Sequence, residues 1–319
     1  MKLCSLIAVL CCSLTVWSQQ TQVLDNTTQQ PISFATISFG NGLGTFAGDD
    51  GVFAFSPKKY SDVTTVYISA IGYAEKAVAI ENLTDKIYLE PEASQLSEIV
   101  IAAPKKGKFK IKKKKPTTHT NHHTSWLPTI ESEVAVYLER YEGKSTQIAT
   151  LWLPINAESE YKSNGKGKYA TIFRIQFYKN ENGIPGAPIL HDKIVFPINE
   201  KADKIFELDI AKYGIFIPKD GIFAAVQVLG YANDQGALIQ SKKYREIKTT
   251  RGIQKIPTAF RPLLPFSNEL TGQDTYVRRV FLNNRKWQVF DETYNKNSKL
   301  IQYGHRNYGL GAAFRVYEE

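Results

Sequence analysis

The stretch Ile32-Ser33-Phe34-Ala35-Thr36-Ile37-Ser38-Phe39, followed by Gly44-Thr45-Phe46-Ala47-Gly48-Asp49-Asp50-Gly51-Val52-Phe53-Ala54-Phe55, decides the fold class. Its first half alternates with the period of two that a half-buried strand requires. Its second half places two short apolar runs on either side of a Gly/Asp cluster, the pattern of a hairpin. Asp50-Gly51 is a favoured hairpin dipeptide, and Gly44 and Gly51 suit tight turns. Outward from this stretch, Val63–Ala70, Ala74–Ile80, Lys86–Leu89 and Ser97–Ala102 supply further strands. No helical period interrupts them, so residues 19–103 read as a small β-sandwich.

Several pieces of this segment carry a resemblance. They are Asp25-x-Thr27 with Pro31-Ile32-x-x-Ala35, then Gly44-Thr45 with Asp50-Gly51-x-Phe53, then Ser69-x-x-Gly72-Tyr73, and last Leu96-Ser97-Glu98-Ile99-Val100-Ile101. In that order and spacing they resemble the carboxypeptidase-D regulatory-like domain, a transthyretin-like sandwich found at the N-terminus of envelope proteins, including TonB-dependent receptors. The resemblance implies a scaffold and no catalytic residue. A zinc carboxypeptidase needs a His-x-x-Glu pair and a distant His. The five histidines, 119, 122, 123, 191 and 305, include none followed three residues later by Glu, and residues 19–103 contain no His, Arg or Cys.

Charge concentrates in one run. Pro104 to Pro116 reads P-K-K-G-K-F-K-I-K-K-K-K-P, with Lys105, Lys106, Lys108, Lys110, Lys112, Lys113, Lys114 and Lys115 and no acid. The formal net charge is +9; one unit belongs to Lys2 and eight to this run, so the remainder is formally neutral. Like charges repel into extension. Residues 104–125, with the polar T-T-H-T-N-H-H-T-S that follows, read as an inter-domain tether spanning roughly 25 Å as a flexible coil. These lysines are the candidate contacts to an anionic envelope surface, since clustered lysines are each attracted to one by roughly 1 kcal/mol. Nucleic acid is not expected as a partner, because the run has no Arg and only Phe109 for stacking.

Residues 1–18 have a basic start at Lys2, an apolar run from Leu3 to Val16, and Val16-Trp17-Ser18 before Gln19. This is the pattern of a secretory signal peptide cleaved after Ser18. The run is shorter than the roughly 20 residues that span a bilayer, which sets it against the alternative of a membrane anchor. Cys4, Cys11 and Cys12, the three cysteines, all fall within it. The mature chain is then expected to hold no disulfide and no thiolate site.

Residues 126–319 again show strands without helical periodicity: Val134–Arg140, Gln147–Leu153, Tyr169–Tyr178, Ile189–Phe196, Ile205–Ile210, Ile222–Leu229, Thr275–Leu282, Lys286–Phe290 and Leu310–Tyr317. They predict a larger, jelly-roll-like β-sandwich. Arg261–Phe266, with two prolines, is expected to be an edge or loop segment. The whole chain is therefore expected to be all-β, with two sandwiches that fold separately.

No motif supplies a catalytic, cofactor or metal site. Gly40-x-Gly42-x-Gly44 lacks the spacing of a dinucleotide fingerprint, and no P-loop, nucleophile elbow or His-Glu-x-x-His is present. His119-x-x-His122-His123 has no carboxylate near it in sequence and reads as solvated, and Asp49-Asp50 as turn chemistry rather than a Ca²⁺ site. Trp126, Trp152, Trp287, Tyr169 and Tyr178 could form either a core or a sugar-stacking face. The expectation is an exported, non-enzymatic protein of a gram-negative envelope. It would sit in the periplasm, on the outer membrane or at the cell surface, and bind an envelope protein or a glycan. A carbohydrate-binding accessory protein and an undetected hydrolase are the alternatives, the first requiring an exposed aromatic row and the second ionisable groups that converge in a pocket.

Overall fold

Alternation along the N-terminal stretch produces two facing sheets. Strands β1 (Gln19–Asp25), β4 (Val52–Phe55) and β7 (Lys86–Leu89) form one, in the order β4-β1-β7, with β1 and β7 parallel. Strands β2 (Thr36–Ser38), β3 (Gly44–Phe46), β5 (Thr65–Ser69) and β6 (Lys76–Ala79) form the other, in the order β3-β2-β5-β6. Val23, Ile37, Phe53, Phe55, Val66 and Leu89 fill the space between them. Gly51 turns the β3–β4 connection at φ +75°, and a Cβ there would lie 2.7 Å from the Val23 carbonyl oxygen, so only glycine fits without strain. Tyr73 packs beside this core and its hydroxyl donates to Asp25 at 2.7 Å.

The computed structural model describes residues 19–92, 107–141, 143–158, 169–189, 192–239, 244–250, 252–269, 275–282 and 285–318. The expected leader at 1–18, the expected strand at 97–102, Lys105, Lys106 and His191 lie outside the described residues. Strand β1 was not expected: three of its first four residues are Gln, yet Thr21 and Val23 alternate inward and are fully buried.

The second unit is a sandwich of a large and a small sheet. The large sheet is built on β12 (Ala170–Glu181), β16 (Ile222–Tyr231), β10 (Ser132–Leu138), β20 (Thr275–Arg279) and β21 (Gln288–Val289), side by side in that order. The outer edge of β12 is shared by β13 (Ile184–Pro188) and β14 (Ile194–Asn199). The small sheet runs β15 (Ile205–Asp209), β11 (Thr146–Pro154), β23 (Gly311–Tyr317), β8 (Phe109–Lys114). The main core lies between the two sheets, with Phe173, Ile175, Val226 and Val134 facing Leu151, Ala312 and Phe314. The chain is all-β in architecture, and the α-helices among the described residues are single turns at Glu292–Asn295 and Lys299–Gln302.

Four features differ from the sequence expectations. Residues 109–114 of the expected tether are strand β8, paired antiparallel with β23. Pairing in register places Lys110, Lys112 and Lys114 opposite the core-facing Val316, Phe314 and Ala312. Charged side chains along an edge strand block pairing with a further strand. Second, Arg261–Phe266 does not end at an edge. Leu264–Ser267 forms β19, the middle of a ribbon between β9 (Ser125–Trp126) and β22 (Asn307–Tyr308). The prolines are tolerated because each neighbour covers a different half of β19, so Pro265 has only β9 beside it.

Third, an unexpected hairpin, β17 (Tyr244–Thr249) with β18 (Gly252–Pro257), reaches across to the first unit. Its Lys255 Nζ donates to the Lys59 carbonyl oxygen at 2.7 Å and lies over the Tyr60 ring. Fourth, the two sandwiches share a core. Phe34 and Phe46 of the first unit belong to the main cluster of the second, with the Phe46 and Phe281 ring centroids 5.3 Å apart. Ser38 Oγ donates to the Phe281 carbonyl oxygen at 2.7 Å. The expectation of independent folding rested on a tether, and β8 is not one.

Candidate functional site

The outward face of the large sheet carries a row of polar side chains where strand alternation would place solvent. Register sets Arg174 on β12 opposite Gln227 on β16, Gln227 opposite Glu133 on β10, and Glu133 opposite Arg278 on β20. One residue from each of four adjacent strands thus lies in a single line across the sheet. Gln227 and Glu133 are each only 1 % exposed, so the row is buried at its centre.

Buried charges require partners. Arg278 Nε donates to Glu133 Oε2 at 2.7 Å, the Tyr178 hydroxyl donates to Glu133 Oε1 at 2.8 Å, and Arg278 Nη2 donates to the Tyr178 hydroxyl oxygen at 2.6 Å. The Arg278 guanidinium also stacks on the rings of Trp287 and Tyr178, at 4.6 and 4.9 Å. Burial would draw Arg278 down, but Glu133 and Tyr178 outweigh it and hold the guanidinium above its ordinary pKa. Burial pushes the Tyr178 phenol far up, against the pull of Arg278, so it remains a protonated donor.

Arg174 is held differently. Its Nε donates to Gln227 Oε1 at 3.1 Å, Nη2 donates to the same oxygen, and Nη1 donates to the Phe34 carbonyl oxygen of the first unit at 3.3 Å. Its guanidinium lies 5.4 Å over the Phe46 ring. Burial lowers its pKa, and Glu133 offsets part of that.

Above this row the two units leave a cleft of about 430 Å³. Ser33, Phe34, Thr36, Ser69 and Tyr73 line it from the first unit, and Arg174, Gln176, Tyr178, Lys193, Arg278 and Arg285 from the second. Arg285 crosses the cleft to pair with Glu75 and donates to Ser69 Oγ at 3.1 Å. Burial, followed by the Asp25 carboxylate, raises Tyr73 to about 12. The arrangement can hold a polar, anion-bearing group between rigid walls.

The candidate lysines fall elsewhere. Lys108, Lys112, Lys113 and Lys115 are exposed, and Lys113 lies over the Trp152 ring at 5.7 Å. Lys110 pairs with Glu318 at 2.8 Å. Lys114 is half-buried, its Nζ donates to the Tyr137 carbonyl oxygen at 3.3 Å, and burial lowers its pKa to about 8. The histidines are not simply solvated: His119 Nε2 bonds the Phe266 carbonyl oxygen at 2.7 Å, and His122 does have a carboxylate neighbour, Glu158. Asp50 accepts from the Val52 amide at 3.0 Å, which is turn chemistry. Among the described residues no three His, Cys, Asp or Glu side chains converge as metal ligands. The five aromatics do not share a face. Trp126 packs with Phe266 and Phe290, Trp152 lies on β11, and Tyr178 meets Trp287 edge to face.

Residues 20–101 match the CarboxypepD_reg-like domain. This match covers the first sandwich, and the large sheet that carries Arg174, Glu133 and Arg278 lies outside it. Among curated proteins no relative matches the chain. Among solved structures, the chain is similar to the cysteine protease and lectin-like domains of a surface layer associated protein of Clostridium difficile, with a TM-score of 0.32 and 12 % identity. That similarity covers 89 % of this chain, and the chain spans 59 % of the length of the other. The CarboxypepD_reg-like unit supplies one wall of the cleft and the larger sandwich its floor.

Proposed function

We propose that this chain is an exported, non-enzymatic protein of a gram-negative envelope, and that it works as a binding module through the cleft between its two sandwiches. The observation that carries the reading is the four-strand row Arg174–Gln227–Glu133–Arg278 beneath that cleft. A sheet holds these groups in fixed positions, which suits recognition, because little ordering remains to be done when a ligand arrives. Support for export comes from the leader-like pattern of residues 1–18. The partner is an envelope protein or glycan, and the exposed lysines of β8 add a sequence-independent attraction to anionic envelope surfaces.

The test has two parts. Fractionation of cells that produce the tagged protein should recover it outside the cytoplasm with Gln19 as the first residue; recovery in the cytoplasm with Met1 retained would overturn the export reading. Ala70 lines the cleft and is half-buried. Substitution Ala70→Trp should fill the cleft and abolish binding to isolated envelope material, and unchanged binding would overturn the cleft as the binding site.

A further inference from the structure

We infer that the cleft selects an acidic sugar, a compact ring or ring pair bearing one carboxylate and several hydroxyls; this rests on the binding reading above. The guanidinium groups around the cleft are not equivalent. Arg278 is neutralised by Glu133 and Arg285 by Glu75. No ion pair is formed by Arg174 among the described residues, and its hydrogen bonds go to a side-chain amide and a backbone carbonyl. Those bonds use three of the five N–H donors that a guanidinium carries, so two remain. A planar carboxylate accepts two parallel N–H bonds in the fork geometry that such a group offers.

A second observation points the same way. Gln227 Nε2, beside the Arg174 fork, is buried and has no hydrogen-bond partner among the described residues. Lys193 lines the cleft as an exposed second cation. The rest of the lining mixes apolar side chains such as Ile32, Phe34 and Ile194 and the carboxylates of Glu75 and Glu92 with polar groups, Thr36, Ser69, Gln176 and Tyr73, of the kind that pair with sugar hydroxyls. A volume of about 430 Å³ accommodates one or two rings.

The experiment is titration calorimetry of the full mature chain with digalacturonate, with its neutral counterpart galactobiose, and with the dipeptide Gly-Glu. Digalacturonate should bind at least tenfold more tightly than galactobiose. Substitution Arg174→Gln should weaken digalacturonate roughly tenfold to hundredfold and leave galactobiose unchanged, in keeping with the loss of a charge-assisted pair. Because Arg174 is tied into the sheet, Lys193→Gln is the second variant: it lies at an exposed position and should weaken digalacturonate a few-fold in a fully folded protein. Equal affinity for the charged and neutral sugars, no binding of digalacturonate, tighter binding of Gly-Glu, or indifference to both substitutions would each overturn the acidic-sugar assignment. If Ala70→Trp still abolished binding to envelope material in that event, the cleft reading would stand and only the ligand class would fall.

Discussion

Tyr244 on β17 and Gly44 on β3 are joined by two hydrogen bonds although they lie 200 residues apart: the Gly44 amide donates to the Tyr244 hydroxyl at 2.8 Å, and that hydroxyl donates to the Gly44 carbonyl oxygen at 3.2 Å. The contact is buried, and the missing side chain of Gly44 leaves room for Phe281 to pack beside it. A Cβ there would lie 2.5 Å from the Ile37 carbonyl oxygen and closer still to the Phe281 ring. Substitution Tyr244→Phe would leave both backbone groups of Gly44 without that partner, costing roughly 1–3 kcal/mol. Urea unfolding of the variant should remain a single transition at a lower midpoint, because the two sandwiches share Phe46 and Phe281. Two separate transitions in the wild type would contradict the shared core.

Glu133 is the pivot of the buried row. Glu133→Gln removes the charge that compensates Arg278 while leaving the guanidinium in place, and breaking a buried pair in this way costs about 3–5 kcal/mol. The paired change Glu133→Met with Arg278→Met should recover much of that loss, since no uncompensated charge remains. Denaturant midpoints of the two variants test this, and a Glu133→Gln effect below about 1 kcal/mol would count against a compensating role.

Lys114 gives the protein a dependence on alkaline pH. Its folded pKa of about 8 lies below the ordinary lysine value of about 10.4. Below pH 8 the ammonium is carried in both folded and unfolded chains and its burial penalty is present in full. Between the two values the folded chain sheds the proton first, so the unfolded chain binds more protons and stability rises with pH. Lys114→Met should therefore stabilise the protein at pH 7, by about 1 kcal/mol, and lose that advantage as pH climbs past 10. Melting temperatures of both proteins at pH 7 and pH 10.5 measure the effect, and an equal difference at the two values would refute it.

The exposed lysines of the same run should act differently. Lys112→Ser, Lys113→Ser and Lys115→Ser together should lower co-sedimentation with lipopolysaccharide at low salt and leave the melting temperature nearly unchanged. Such attraction is screened within about 8 Å at physiological salt, so the wild type should approach the variant as salt rises. Equal binding at low salt would assign this run to the sheet alone.

Period-two alternation exposed most of the fold in the sequence. Val52–Phe55 and Lys86–Leu89 are strands with the same bounds by both routes, because each is an apolar alternation closed by turn residues. Gln19–Asp25 and Tyr244–Thr249 were less legible, since their polar side chains obscure the alternation. In Phe109–Lys114 charge masked strand character entirely, and only the partner strand β23 reveals it. The site was hidden for another reason. Arg174, Gln176 and Tyr178 alternate with Phe173, Ile175 and Phe177, which reads locally as a solvent face. That Arg174, Gln227, Glu133 and Arg278 share one line depends on the register of four strands, and register is a tertiary property.

The pairing of β8 with β23 also bears on how the chain reaches its folded state. The lysine strand is synthesised early, and the strand it pairs with arrives roughly two hundred residues later. During that interval an apolar strand in its place would be an open template for neighbouring chains. Mutual repulsion among the lysines should keep the waiting segment hydrated and unpaired until its partners Ala312, Phe314 and Val316 come alongside. A safeguard of this kind during biogenesis predicts that neutralising the charge reduces the yield of folded protein before it changes the stability of what does fold.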